Sequence, residues 1–222
     1  MLLGNSSDPV AEHARAIEAA DRALAIDAHA QLSLRVMAAV QRAREEAEGS
    51  LHEFIDQIAD CEPPLSRAPG TAVFLNRGKD PTPLAMRANV EHNHVRHDHV
   101  VILAIETLPV PRVAESDRVT VDALGYAADG IIHVTAHFGY MESPEVAGAL
   151  RLLDSAQTEG PINIDEASYF LSKLELARGT APTLARWRKR LFIATAKFST
   201  DASVYFNLPG DRTVIMGERI EV

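Results

Sequence analysis

Four histidines crowd into one octapeptide, HNHVRHDH: His92, His94, His97 and His99. Imidazole is a good ligand for zinc, nickel or copper, so spacing decides whether these rings can converge. On a helix His92 and His94 lie about 200 degrees apart, and His94 with His97 is the adjacent-turn pair. On a strand His97 and His99 share a face. Glu91 and Asp98 are the carboxylates at hand, and Cys61 is remote in sequence. A polar helix C-terminus, where His and Arg interact favourably with the helix dipole, accounts for the same residues without a metal. No metal site is assigned, and these four histidines are the candidates for one.

Other arrangements carry less chemistry. Gly70 to Lys79, GTAVFLNRGK, departs from a phosphate loop in glycine spacing, lacks Ser or Thr after Lys79, and has an apolar strand where the loop belongs. The loop NRGKDPTP follows that strand and precedes a helix, the position at which α/β sheets take ligands; a mobile surface turn is the simpler account. No G-x-S-x-G elbow is present, and Ser168, followed by Tyr169 and Phe170, reads as part of a buried strand. Arg186, Arg188, Lys189 and Arg190 surround Trp187 as a solvated helix face, or as a docking face for acidic protein or membrane surface. Cys61, beside Pro63 and Pro64, has no neighbouring base to activate it. No acid, base or nucleophile pair is identifiable, so the chain reads as a non-enzyme with no catalytic residue and no cofactor identified.

The elements that hold these residues change character near residues 61–70. Residues 1–60 read as a helical N-terminal arm. Asp8-Pro9 is a start signal, and Ile17, Ala20, Leu24, Leu32, Val36 and Val40 recur at near-helical spacing with no Gly or Pro from Val10 to Glu48. Gly49-Ser50 interrupts it, and Leu51 to Asp60 forms a short amphipathic helix. Residues 61–69 read as a Pro-rich linker, and 70–222 as an α/β domain. Strands are expected at 71–75, 100–107, 118–123, 131–138, 167–172 and 213–220, with helices at 84–97, 144–155 and 182–198. The pieces at 118–123 and 131–138 form a hairpin. The fold class is α/β, a mixed central sheet with flanking helices behind an α-helical arm.

The chain has 222 residues and a net charge of −9, which argues against nucleic-acid or anionic-membrane binding. One cysteine forbids an intrachain disulfide and fits a reducing cytoplasm. No apolar run approaches the roughly 18–20 residues of a membrane span, and the N-terminus lacks the features of a signal peptide.

Several segments, in order, resemble the C-terminal cytoplasmic domain of the Kup family of potassium uptake transporters. Arg67-Ala68-Pro69-Gly70-Thr71-Ala72-Val73-Phe74-Leu75 is similar to its R-x-P-G-T-A-V-F-L signature. Asn89, His92, Asn93, Val95 and His97 fit its N-x-x-H-N-x-V-x-H helix end, and Pro111-Arg112-Val113 its P-R-V. Gly139, Met141 and Glu142 fall in its aromatic-G-[FY]-M-E turn, with Pro144 following. Ser168, Tyr169 and Phe170 open S-Y-F-L-S, Trp187 and Phe192 fall in W-x-x-x-L-F, and Pro209 and Arg212 belong to its ending. The likeness covers about residues 51–222. His94 and His99 are extra to the family pattern.

The resemblance implies a regulatory or assembly domain on the cytoplasmic side of the cell membrane. Its partner would be the membrane half of a proton-coupled potassium transporter, on the same or a separate chain. That half would precede this domain, so the chain is expected to be a truncated, split or free-standing piece. The family's ion sites lie in the membrane half, so no transport residue carries over. A homodimer, and an adenine nucleotide or cyclic dinucleotide ligand, enter only at family level. The matched Gly, Pro and aromatic residues read as structural. The alternative is a free-standing nucleotide-binding sensor on the same scaffold. Nucleic acid is not an expected partner.

Overall fold

The computed structural model describes residues 34, 37–38, 41–125, 129–154, 157–158, 160–177 and 202–221. The expected helix at 182–198, with its basic cluster, Trp187 and Phe192, lies outside the described residues, as does most of the arm.

A six-stranded sheet in the order β3-β4-β2-β1-β5-β6 forms the centre. Its strands are β1 (Ser66–Asn76), β2 (Val95–Leu108), β3 (Val119–Asp122), β4 (Ile131–Gly139), β5 (Ser168–Ala177) and β6 (Thr213–Glu221). The ladders joining β1 to β2, β2 to β4, β1 to β5 and β5 to β6 are parallel, and β3 alone runs antiparallel, against β4. The parallel strands, counted along the chain, thus have the doubly wound order 3-2-1-4-5, whose direction reverses between β1 and β5. The Val100–Ala104 run is buried on both faces, the pattern of a central parallel strand.

Each face has its own core. On one, Val73, Val101, Leu103, Val134, Tyr169 and Leu171 pack with Val146, Ala149 and Leu150 of α3 (Val146–Leu150). On the other, Ala72, Phe74, Ile102 and Phe170 pack with Leu51, Phe54, Ile55 and Ile58 of α1 (Leu51–Ala59) and with Ala85 and Met86 of α2 (Leu84–Asn93). The apolar stripe of α1 therefore belongs to the sheet's core. Ser50 caps it, accepting from the Glu53 amide.

Three expected elements are corrected. The helix after β1 does not run to His97; it ends at Asn93, because His94 takes a left-handed conformation with φ 53° and ψ 37°. The chain turns there, and β2 begins at Val95, pairing with β1 from Ser66 onward. The helix expected over 144–155 is confined to Val146–Leu150 and tapers into three-residue turns, Leu152 to Ala149 and Leu153 to Leu150. The strand expected at 71–75 is longer, running Ser66–Asn76 and starting within the stretch read as a linker. The two pieces expected as a hairpin pair antiparallel as read, and β4 also runs parallel to β2, leaving β3 as an edge strand.

Candidate functional site

The four histidines are dispersed rather than gathered. His92 is exposed on α2 and lines a shallow groove of about 350 Å³ with Leu84, Arg87 and Met216. His94 forms the left-handed cap. His97 packs its ring 5.7 Å from that of Phe170, and its Nδ1 is buried without a hydrogen-bond partner. His99 lies against Gly160, where an added Cβ would come within 3.1 Å of the ring. Among the described residues no three His, Cys, Asp or Glu side chains stand where they could share a metal ion.

The β1–α2 loop follows β1, where the strand order switches between β1 and β5, and several hydrogen bonds hold it. Asn76 Nδ2 donates to the Gly78 carbonyl at 2.9 Å and to the Pro81 carbonyl at 2.6 Å. The Leu51 amide donates to the Asp80 carbonyl, and the Thr82 amide to the Gly49 carbonyl. Lys79 pairs with Asp122 on β3. The loop is thus an exposed turn with its backbone anchored to α1 and its own flanks. Arg77 approaches Glu48 Oε2 at 3.7 Å, and Arg44 pairs with Glu48 from within the helical segment 41–48. Arg87 donates to the Glu48 carbonyl at 2.9 Å. Glu48 is 2% exposed, a buried carboxylate between two guanidinium groups.

At a doubly wound switch an anion usually sits on the amides that begin the first crossover helix. Here the Ala85 amide, at the start of α2, donates 2.8 Å to Ser172 Oγ on β5. The last serine of the S-Y-F-L-S run therefore serves as a cap for a helix distant in sequence, and Pro83 supplies no side-chain cap of its own.

His133 is 1% exposed on β4, and its Nε2 lies 3.4 Å from the Gly78 carbonyl. Burial lowers its pKa first, with the Gly78 bond opposing; Lys79 lowers it further, and Asp122 and Asp80 raise it. A histidine kept neutral in the fold takes up its proton more readily when unfolded. Its contribution is therefore present above the unfolded value, about 6.5, and is lost as pH falls below it. His133→Gln is expected to flatten the loss of stability between about pH 7 and 5, read from urea unfolding at stepped pH. An unchanged slope would discard this account.

Several of the other described motif residues take part in turns and strand contacts. Pro69 and Gly70 (φ 96°) sit in the β1 irregularity between Ala68 and Thr71, where a missing amide donor and a left-handed residue are tolerated. Asn93 Nδ2 donates to Asn89 Oδ1, and Asn89 Nδ2 to the Val95 carbonyl, closing the turn from helix to strand. Phe74 and Phe170 stack at 4.7 Å. Thr213 Oγ1 donates to the Pro209 carbonyl at 2.7 Å, and the Arg212 amide to the same oxygen at 3.1 Å. Pro144 is buried just before α3.

Sequence reasoning missed the most connected of these sites. Glu142 Oε2 accepts from the Gly139 amide at 2.6 Å and the Val113 amide at 3.1 Å. Arg118 grips both carboxylate oxygens, at 2.7 and 3.0 Å, donates to the Val113 and His137 carbonyls, and lies over the Phe138 ring. The Pro111 carbonyl comes so close to Gly139 that an added Cβ would stand 2.3 Å from it. This knot joins the P-R-V loop to the G-Y-M-E turn.

The strand order and the internally capped switch define an α/β domain of doubly wound type with an added antiparallel edge. The family profile described as "K+ potassium transporter C-terminal domain" matches residues 69–222. The chain is 66% identical over 188 residues to a probable potassium transport system protein Kup of Rhodococcus jostii, covering 85% of this chain and 29% of that protein. It is 37% identical to one from Bordetella avium, over 78% of this chain and 27% of that one. It is 38% identical to one from Rhizobium tropici, over 75% of each. The chain belongs to the Kup potassium transporter family, through that family's C-terminal domain. It spans 29% and 27% of the Rhodococcus and Bordetella relatives. No solved structure gives a significant match. Among the described residues no helix is long and apolar enough to cross a membrane.

Proposed function

We propose that this chain acts as a regulatory and assembly domain on the cytoplasmic side of a potassium uptake system, non-enzymatic and docked on a membrane-spanning partner. The observation that carries this reading is the match to a C-terminal segment of a potassium transporter family, spanning 29% of a relative named as a potassium transport protein. Among the described motif residues, Phe74, Tyr169 and Phe170 lie in the core while Met141 is exposed, which supports a structural scaffold that presents a surface. The unit proposed to dock is the six-stranded sheet domain together with α1, which packs in its core.

The test is a segment exchange in the Rhodococcus jostii transporter. Replacing its matched segment by this chain's is expected to keep potassium-limited growth of an uptake-deficient strain, while deleting that segment lowers uptake or the amount of transporter in the membrane. A deletion that leaves both unchanged would sink the reading. A homodimer is compatible with it, and sedimentation of the purified chain reads that directly.

The doubly wound strand order favours a second reading, a free-standing adenine nucleotide or cyclic dinucleotide sensor. Ser172 at the start of α2 counts against an anion there. A saturable thermal shift with ATP or a cyclic dinucleotide would support it, and no shift at millimolar ligand would end it.

A further inference from the structure

Tyr140 and Met141 are 63% and 67% exposed, and Val110 beside them is 40% exposed. The backbone amides of Tyr140 and Met141 are nonetheless both hydrogen-bonded. The Tyr140 amide donates to the Val110 carbonyl at 2.9 Å, the Met141 amide to the Pro111 carbonyl at 3.1 Å, and the Arg118–Glu142 knot fixes the turn from below. A rigid turn that presents an aromatic and a thioether to solvent has already lost the backbone freedom that binding would otherwise take from it. Tyr and Met are the side chains enriched where proteins meet.

The rim decides the occupant. Among the described residues Glu115, Asp117 and Glu145 are exposed on the segments that the knot gathers, with Glu106 facing His137 at 3.5 Å, against the exposed cations Arg112 and Arg151, the latter already paired with Asp165. Anionic lipid would be repelled by such a rim. A symmetric contact between two copies through this face would set the acidic rim against itself. A segment with apolar anchors flanked by Lys and Arg complements both the centre and the rim. Cytoplasmic loops joining membrane spans have that excess of basic residues. We infer that the Tyr140–Met141 turn is a docking surface for a Lys/Arg-flanked apolar segment of the membrane-spanning partner. This rests on the reading above, and its test is separate from the segment exchange.

The intact 222-residue chain is titrated by fluorescence anisotropy with peptides tiled across the part of the Rhodococcus jostii transporter outside its match. Lys/Arg-flanked apolar peptides are expected to bind, more weakly at higher salt. Tyr140→Ser with Met141→Ser is expected to weaken them about tenfold or more. The thermal midpoint of that variant confirms that it is folded. Glu115→Gln with Asp117→Asn should reduce both affinity and salt dependence. Equal binding by the native chain and the Tyr140/Met141 variant would overturn this surface while leaving the proposed function intact. Binding of neutral or acidic peptides alone, or of none, would also overturn it. So would self-association abolished by the same two substitutions.

Discussion

Replacing Phe74 by alanine is expected to destabilise the chain by about 3–5 kcal/mol, the range for truncating a buried aromatic. Phe74 is 1% exposed in the central strand and stacks on Phe170 of the neighbouring strand. Two costs combine: the apolar area returned to water, and a cavity that α1 and α2 on one side and the sheet on the other are too rigid to fill. For a domain of this size the midpoint should fall by roughly 10 °C or more. Phe170→Ala and the double variant complete a cycle, in which the stacked pair should show a coupling of about 0.5–1.5 kcal/mol. Additive losses would mean the rings fill space independently. Tyr140→Ala, by contrast, should change stability by no more than about 0.5 kcal/mol. Motif residues of this family thus separate into core and surface, and stability measurements sort them.

That separation was only partly legible in the sequence. The apolar run from Val100 announced a strand, and the stripe of Leu51, Phe54, Ile55 and Ile58 announced a helix with one side to hide; both are as read, and burial of the strand on both faces came with the structure. Strand direction was not legible for β4, because alternation of apolar residues is the same in parallel and antiparallel neighbours. The end of α2 was hidden because the left-handed residue is His94, where a glycine would have signalled it. Ser143-Pro144 looked like a helix start, yet Glu142 just before it is engaged with Arg118 and Val113, and the helix begins only after Glu145. Glu48 resembled any charged residue near a helix end, and its burial and its contact with Arg77 arise only through the fold. The resemblance brought Gly139, Met141 and Glu142 forward as a turn but assigned Glu142 no partner. Arg118, outside every quoted motif, lies 24 residues away in sequence and carries no local signature.

Breaking that pair should have the largest effect of any change outside the core. Arg118 and two backbone amides hold the Glu142 carboxyl down at about 2 from its ordinary 4.5, the Arg118 hydrogen bond first, then Gly139. The carboxylate is therefore bound more strongly in the fold than in the unfolded chain. Its contribution is fully present above the unfolded value and is lost as pH falls from about 4.5 through about 2. Glu142→Gln keeps the shape and removes the charge. Its midpoint should lie several degrees below the native chain's at pH 7, and the two should converge as pH approaches 2. Arg118→Met removes the clamp from the other side. It leaves the carboxylate with its amides, and should return the Glu142 titration, followed by carboxyl NMR, toward 4.5. A gap between native and Glu142→Gln that persists unchanged to pH 2 would assign the difference to packing instead. If the pair holds the turn, both variants should also loosen the Tyr140–Met141 surface. Faster amide exchange at Tyr140 and Met141, whose amides bond the Val110 and Pro111 carbonyls, is then expected without comparable change in β1 and β2. This ties the stability of the knot to the presentation of the surface: in Glu142→Gln, peptide binding should weaken although no residue that touches the partner has changed.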